Sequence, residues 1–496
     1  MYIENNKMTR QLPADCLNDI FECLEENKIT LHSCLLVNRQ CCDIAVRILW
    51  RNVWYFQDND KQRVSLSIIS TLFACLPKGS KDHLQKNGIV INTPTQKSPM
   101  FNYASFCRVI SISEIDQMVQ YIFKEQPTPS LGSLNFNKYL LSQEILKMFM
   151  NQILSLKSLE YYLGYSQNIT FTCLPEAKTC LMDLTELKCR SDIYSEFFYQ
   201  ISQICYNIQS ITIELRDISN GLADLILKQN NLKSITLISI SCDEENEGTK
   251  SLISSLAKFS LTLTKLKIIE FYIPLSFITI FKNLEELILS FELHPFDDFI
   301  QLQNINFSHL KVLKFLYAIP RVEMLIKFLE INGKTLTEFY VGDHNSKLNL
   351  AIAKFCPNLK ILFTIFVEEE LDTLETIFNR CQYLESIRVW CGDGYLNDKE
   401  FLDVLVKFSP KNFYELEIYY CSYHEPSEIL PKELEEFFLS WENRISRRSL
   451  SLTIFNNTEG ISLEANEENM KIIKKYEKLG LIKKFRIEEY DYDEDD

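Results

Sequence analysis

The sequence predicts an α/β chain in which a front unit of three short helices precedes an irregular solenoid. In that solenoid a short strand and a helix alternate, with parallel strands on a concave face and helices outside. Three observations point there. Apolar residues in the first fifty positions recur at helical spacing. A pattern Leu-x-x-Leu-x-(Leu/Ile/Val/Phe) then recurs eleven times, at intervals of 21 to 31 residues. Gly and Pro number only 12 and 14 in 496 residues, which disfavours linker-like and glycine-loop architectures.

Length and charge narrow the function. A chain of 496 residues exceeds the roughly 250–300 at which one compact core stops growing, so several domains or a repeat array is expected. Apolar residues make up 46% and aromatics 12%, enough for a large core. The net charge is −15, and seven of the negative charges lie within residues 488–496, which read as a disordered acidic tail. The remaining body is still acidic and carries no strong basic block, which argues against nucleic acid as a partner. Sixteen Cys fall short of a disulfide scaffold. Neither an apolar leader nor an uncharged apolar stretch of about 18 residues is visible. The chain reads as cytoplasmic or nuclear, with reduced thiols and no membrane association.

Residues 12–24 read LPADCLNDIFECL, with Leu17, Ile20, Phe21 and Leu24 on one helical face. Pro13 suits a first turn, and Asp15 suits the positive helix start. Asn27 and Lys28 break the pattern. Thr30 then serves as the expected cap of a second helix carrying Leu31, Cys34, Leu35 and Val37. A third helix is expected from Asn38 to Trp50, with Cys41, Ile44, Ala45, Ile48 and Leu49 on one side. So small a unit cannot cover all its large apolar groups, which include Leu12, Leu36, Trp50 and Trp54. Apolar surface left open on such a unit marks a partner site.

Leu12-Pro13, Ile20-Phe21, Leu24, Leu35 to Arg39 and Leu49-Trp50 together resemble an F-box, spanning residues 9–54. One position departs from that family: Cys41 stands where Trp is common. The resemblance implies docking onto the Skp-type adaptor of an SCF-type cullin-RING ubiquitin ligase, and through it onto a cullin. It implies adaptor contacts from Leu12, Pro13, Leu17, Ile20, Phe21, Leu24, Leu35, Leu36, Val37, Arg39, Leu49 and Trp50. An interaction scaffold with a degenerate F-box and no ligase recruitment stays open.

The repeat's first position falls at Leu156, Leu184, Ile208, Leu232, Leu263, Leu284, Leu310, Leu336, Leu359, Leu384 and Phe413. Helical patterns such as VEMLIKFLE and KEFLDVLVKF lie between these strands. Each unit buries its Leu, Ile and Phe only against the next, so the expected core is one continuous ridge. Cys205, Cys356 and Cys381 stand three places before the first position. These features resemble the leucine-rich repeats, in their cysteine-containing subclass, although the residue closing the strand turn is variable: Cys421 fits it, whereas Ile240 and Gly392 do not. The solenoid is assigned to 101–487, with degenerate units at 101–155. Residues 55–100 form a connector: a helix from Val64 to Leu76, then a flexible loop rich in Lys, Gly, Ser and Pro. Residues 1–8 are an N-terminal tail.

In this register one outward column holds Tyr340, Phe363, Arg388 and Glu417, and a second holds Leu316, Gly342, Ile365, Trp390 and Tyr419. Trp, Tyr and Arg are enriched at binding hot spots. Tyr340, Phe363, Ile365, Arg388, Trp390 and Tyr419 are therefore candidates to receive a protein target; a one-residue register error would instead bury them. No catalytic or metal constellation stands out. Gly333-Lys334-Thr335 lacks the upstream glycine of a phosphate loop and is read as a helix end in the left-handed conformation. Gly392-Asp393-Gly394 is read as a turn. The expectation is a binding protein without cofactor, metal or catalytic residue.

Overall fold

The structure, a computed structural model, describes residues 12–54, 61–89, 99–124, 131–162, 170–239, 247–292, 297–392, 394–420, 429–444, 448–456, 462–463 and 466–489. The chain divides into two compact units, Met1–Leu232 with Asn246–Leu256 and Lys233–Glu245 with Ala257–Asp496. Cys421, Ile240 and residues 1–8 lie outside the described residues.

The first unit opens with helices α1 (Ala14–Glu22), α2 (Lys28–Cys34) and α3 (Arg39–Leu49). Asn27, not Thr30, caps α2: its side chain accepts from the Thr30 N–H at 3.0 Å. Asn is a strong cap because its short amide reaches the orphan donors of the first turn, so the residue read as a break is the start signal. Asn38 caps α3 in the same way, accepting from the Cys41 N–H at 2.9 Å. Phe21, Leu31, Cys41, Ala45 and Ile48 form the small core of these helices.

Helix α4 (Lys61–Cys75) follows, and then α5 (Lys78–Lys86), in place of the expected flexible loop. Pro77 precedes the first turn of α5, and Ser80 and Leu84 are its only buried side chains. Lys78, Gly79, Asp82, Gln85 and Lys86 face solvent, which is why composition alone reads as a loop. Strands β1 (Val109–Ser111), β2 (Ser158–Tyr161), β3 (Glu186–Arg190) and β4 (Ser210–Leu215) pair in parallel, each with the next. Helices α6 (Ile112–Lys124), α7 (Leu131–Gln152), α8 (Ala177–Leu181), α9 (Ser195–Ile204), α10 (Asn220–Lys228) and α11 (Glu247–Leu256) complete the unit.

The second unit carries ten parallel strands that neighbour one another in chain order. They are β5 (Ser234–Ser239), β6 (Lys265–Ile269), β7 (Glu286–Ser290), β8 (Val312–Phe315), β9 (Glu338–His344), β10 (Ile361–Ile365), β11 (Ser386–Cys391), β12 (Glu415–Tyr420), β13 (Leu450–Asn456) and β14 (Ile482–Glu489). Helices α12 (Val322–Asn332), α13 (Ser346–Phe355), α14 (Leu371–Arg380), α15 (Asp398–Phe408), α16 (Pro431–Glu442) and α17 (Glu467–Lys478) alternate with the later strands. Between β6 and β8 the crossovers are 3-10 turns, the first introduced by Pro274.

Every strand from β2 to β12 begins two residues after its expected first position. Within each unit, one carbonyl at the foot of most described rungs accepts two successive N–H groups from the next rung. The Lys157 carbonyl takes Thr185 and Glu186, both at 2.9 Å, and the Thr337 carbonyl takes Lys360 and Ile361 at 2.7 and 3.1 Å. The Cys position before the first Leu also bridges rungs. The Cys205 thiol donates to the Leu181 carbonyl at 3.1 Å, and the Cys381 thiol to the Cys356 carbonyl at 3.3 Å. Burial pushes both thiols up to about 12, so they remain protonated packing groups. Gln229 fills the same slot, donating to the Cys205 and Leu225 carbonyls and accepting from the Ile208 N–H.

Two further expectations are corrected. Gly333 is right-handed, with φ −60°. Glycine is needed there because a Cβ would lie 2.6 Å from the Phe355 carbonyl oxygen. Strand β14 includes Glu488 and Glu489, so the expected acidic tail is part strand, and residues 490–496 lie outside the described residues.

Candidate functional site

Two surfaces collect the residues singled out by sequence, one in each unit. On the front helices the exposed large apolar groups are Leu12, Ile20, Ile29, Leu36 and Val37, with Leu36 85% and Ile29 84% exposed. Leu12 and Ile20 belong to α1 and the residue pair before it. Ile29 stands in the first turn of α2, and Leu36 and Val37 in the turn after it. Pro13 and Arg39 are exposed beside them. Ile29 escaped the sequence reading because the expected cap, Thr30, leaves it outside the second helix, whereas α2 in fact begins at Lys28.

The other candidates on this unit divide by direction. Phe21 is buried in the three-helix core, with Leu17, Leu24, Leu35 and Leu49 packed half-buried around it. Phe21 is thus a packing residue and not a contact residue. Of the apolar face that made α1 legible, Leu17, Phe21 and Leu24 pack inward, whereas Ile20 at its border stays open. Trp50 also turns inward, its ring 4.6 Å from that of Tyr103. Cys41 lies in the same core, so its departure from the family pattern alters internal packing rather than the outer surface.

The unit is anchored at its exit. Arg51 places two guanidinium nitrogens on the Glu22 carboxylate at 2.5 and 2.6 Å. That hydrogen bonding holds the Glu22 carboxyl below the ordinary carboxylate value and raises Arg51. The Arg51 carbonyl accepts from the Arg108 and Val109 N–H groups at 2.9 and 3.1 Å, the pairing used between successive rungs. The end of the front unit thereby stands as the rung before β1.

On the second unit, ladder register places Tyr340 beside Phe363, Phe363 beside Arg388, Arg388 beside Glu417 and Trp390 beside Tyr419. This is the expected register, and the alternate positions Phe339, Leu362, Ile387 and Leu416 form the core. The face does not offer all six candidates to a partner, however. Tyr340, Phe363 and Tyr419 are 7%, 3% and 2% exposed, in one cluster with Ile288 and Leu316. Tyr340 stacks on Phe363 at 4.1 Å, and Tyr419 on Phe455 at 4.4 Å. Parallel strands lie about 4.8 Å apart, so large rings in adjacent registered positions cover one another. Ile365, Arg388 and Trp390 remain half-buried above this platform. Trp390 leans on Tyr419 at 5.4 Å, and Arg388 pairs with Glu417 at 2.7 Å.

A bulge alters the second column. Ile365 pairs with His344 rather than Gly342, because β9 carries two extra residues there. A Cβ on Gly342 would sit 2.1 Å from the Leu316 carbonyl oxygen, so that backbone crossing requires glycine. The shift brings His344 Nε2 to 2.9 Å from the buried Glu370 carboxylate.

Among the described residues no group of three or more His, Cys, Asp or Glu could hold a metal ion. No described helix is long and apolar enough to cross a membrane.

No family model matches this chain, and no curated protein matches it either. Among solved structures it is similar to the complex of Rad7 and Elc1 in yeast, at 14% identity and a TM-score of 0.36, covering 72% of this chain and 85% of that one. It is also similar to a protein from Bacteroides fragilis, at 14% identity and a TM-score of 0.30, covering 59% of this chain and 84% of that one.

Proposed function

We propose that this chain is the substrate-recognition subunit of an SCF-type ubiquitin ligase. In this reading α1 to α3 are the F-box and dock a Skp-type adaptor, which brings a cullin. The strand face around Ile365, Arg388 and Trp390 holds a target protein. The subunit does no bond chemistry; it raises the effective concentration of target lysines near the conjugating enzyme. It needs neither cofactor nor metal, and works in the cytoplasm or nucleus.

One observation carries the reading. Leu12, Ile20, Ile29, Leu36 and Val37 stay exposed on a unit whose own core is five residues, Phe21, Leu31, Cys41, Ala45 and Ile48. Exposed apolar surface on this scale is costly unless a partner covers it. The F-box resemblance names the partner. The test is co-purification of the intact chain with a Skp-type adaptor and a cullin, set against the double variant Leu36→Lys, Val37→Lys. Capture by the parent and loss in the variant is expected. A parent that captures neither protein returns the chain to the scaffold reading.

A further inference from the structure

Among the described residues β14 is the last strand of the sheet. Strand β14 pairs with β13, and no described strand lies along its other side. A sheet edge presents alternate N–H and C=O groups that can pair with another backbone. At eight residues β14 is the longest described strand, so this edge is long.

Two independent features say what fits it. Register sets Phe485 and Ile487 beside Leu452 and Ile454, which are buried beneath the helices, yet Ile487 is 49% exposed. Among the described residues of the second unit, this apolar column is thus half-open at β14. Charge is the second feature. Between Lys471 and Ile487 the sequence has seven basic residues and one acidic one, Glu477, in a chain of net charge −15. Lys471, Lys475 and Arg486 pair with Glu468, Glu435 and Glu488. Lys474, Lys478, Lys483 and Lys484 are exposed and have no acidic partner among the described residues.

We propose that the β14 edge receives an acidic, extended segment of a partner polypeptide as an added strand. The added backbone satisfies the open edge, alternate apolar side chains cover Phe485 and Ile487, and the carboxylates between them lie on the opposite face, which carries Lys484, with Lys483 adding charge at the register shift. The lysines select against the other occupants. A second copy would bring like charges together across the new pairing, and a nucleic acid would use the charges but not the edge hydrogen bonds or the apolar column.

The test is fluorescence anisotropy on the full chain, with a fluorescein-labelled Val-Glu-Val-Glu-Val-Glu-Val peptide as probe. Comparison probes are the same peptide N-methylated at alternate residues, its Val-Lys counterpart and oligouridine. The expected result is binding of the first probe, weakened about tenfold or more by N-methylation, with no binding of the Lys peptide. Lys483→Gln with Lys484→Gln, and separately Ile487→Ser, should each weaken binding several-fold while leaving the thermal melt unchanged. Equal binding of the N-methylated probe, preference for oligouridine, or no peptide binding would each overturn the proposal. Binding that appears only in a chain ending at Glu489 would also overturn it, since the chain's own acidic residues would then be the occupant.

Discussion

The Trp54 indole N–H donates to the Val109 carbonyl at 2.8 Å, across 55 residues of sequence. Together with the Arg51 carbonyl, it ties the last residues of the front helices to the first strand of the repeats. Trp54 is 1% exposed and lies edge-on to Phe149 at 6.1 Å, so the donor side of the bond is buried. A buried hydrogen bond is costly to leave half-made.

Replacing Trp54 by Phe keeps most of the ring volume and leaves the Val109 carbonyl without this donor. The expected cost is about 1–3 kcal/mol. Because the damage is local, hydrogen exchange should speed up at Arg108 and Val109 and along α3, with β3 and β4 unaffected. Unchanged exchange there would show that the Arg51 carbonyl suffices as the anchor.

Leu36 and Phe21 make opposing predictions although both belong to the F-box-like pattern. Leu36→Lys alters an exposed side chain and should change stability by under about 0.5 kcal/mol while abolishing adaptor capture. Phe21→Ala empties the center of a five-residue core and should cost about 3–5 kcal/mol, unfolding the front helices. Urea melts followed by circular dichroism, paired with adaptor pull-down, separate the two. Loss of capture by Phe21→Ala alone, with Leu36→Lys normal, would place the adaptor elsewhere.

Trp390→Ala combined with Arg388→Ala removes the half-exposed groups above the aromatic platform. Target capture should fall steeply with adaptor binding intact, and a pull-down with unchanged target would remove this surface from consideration. Tyr419→Ala acts differently, because it takes the middle ring from the stack between Trp390 and Phe455. It should destabilise the second unit by about 3 kcal/mol or more.

Acid should loosen the front helices. The Arg51 guanidinium holds the Glu22 carboxyl below its ordinary value of 4.5. A carboxyl depressed in the folded state adds stability that is present above that ordinary value and is lost as pH falls through the folded value. Both side chains are about a third exposed, so the pair is worth under about 1 kcal/mol. Glu22→Gln should flatten the loss of α1–α3 signal below about pH 4.5. A variant melting with the parent's acid slope would assign the sensitivity to other carboxylates.

Gln229 occupies the position filled by Cys205, Cys356 and Cys381 in other repeats, and bridges three backbone groups in the interior. Gln229→Leu should cost about 2–3 kcal/mol, because the Ile208 N–H and the Cys205 carbonyl lose this partner together. Differential scanning fluorimetry reads this directly, and a neutral result would mean that water enters to replace the amide.

Much of the fold was written in local spacing. The strand starts from Ser158 to Glu415 follow from Leu, Ile and Phe positions alone, because each repeat must bury the same residues against the next. Strand β13 was missed because Arg448 stands where the repeat expects an apolar first position, and neighbouring strands form it regardless. Helix α5 was missed because only Ser80 and Leu84 face inward. The caps at Asn27 and Asn38 were available in the sequence, since a cap is a local hydrogen bond.

What spacing could not supply is which apolar residues stay uncovered. Phe21 and Leu36 are both large and apolar, and only the packing of α1 and α2 on α3 sends one into the core and leaves the other in water. On the strand face the residue order put Tyr340, Phe363 and Tyr419 outward, correctly. Only the registered approach of parallel strands decides that they stack on one another and leave Trp390 and Arg388 as the accessible pair. Exposure belongs to neighbours brought close by the chain's long-range pairing, and no single segment carries that information.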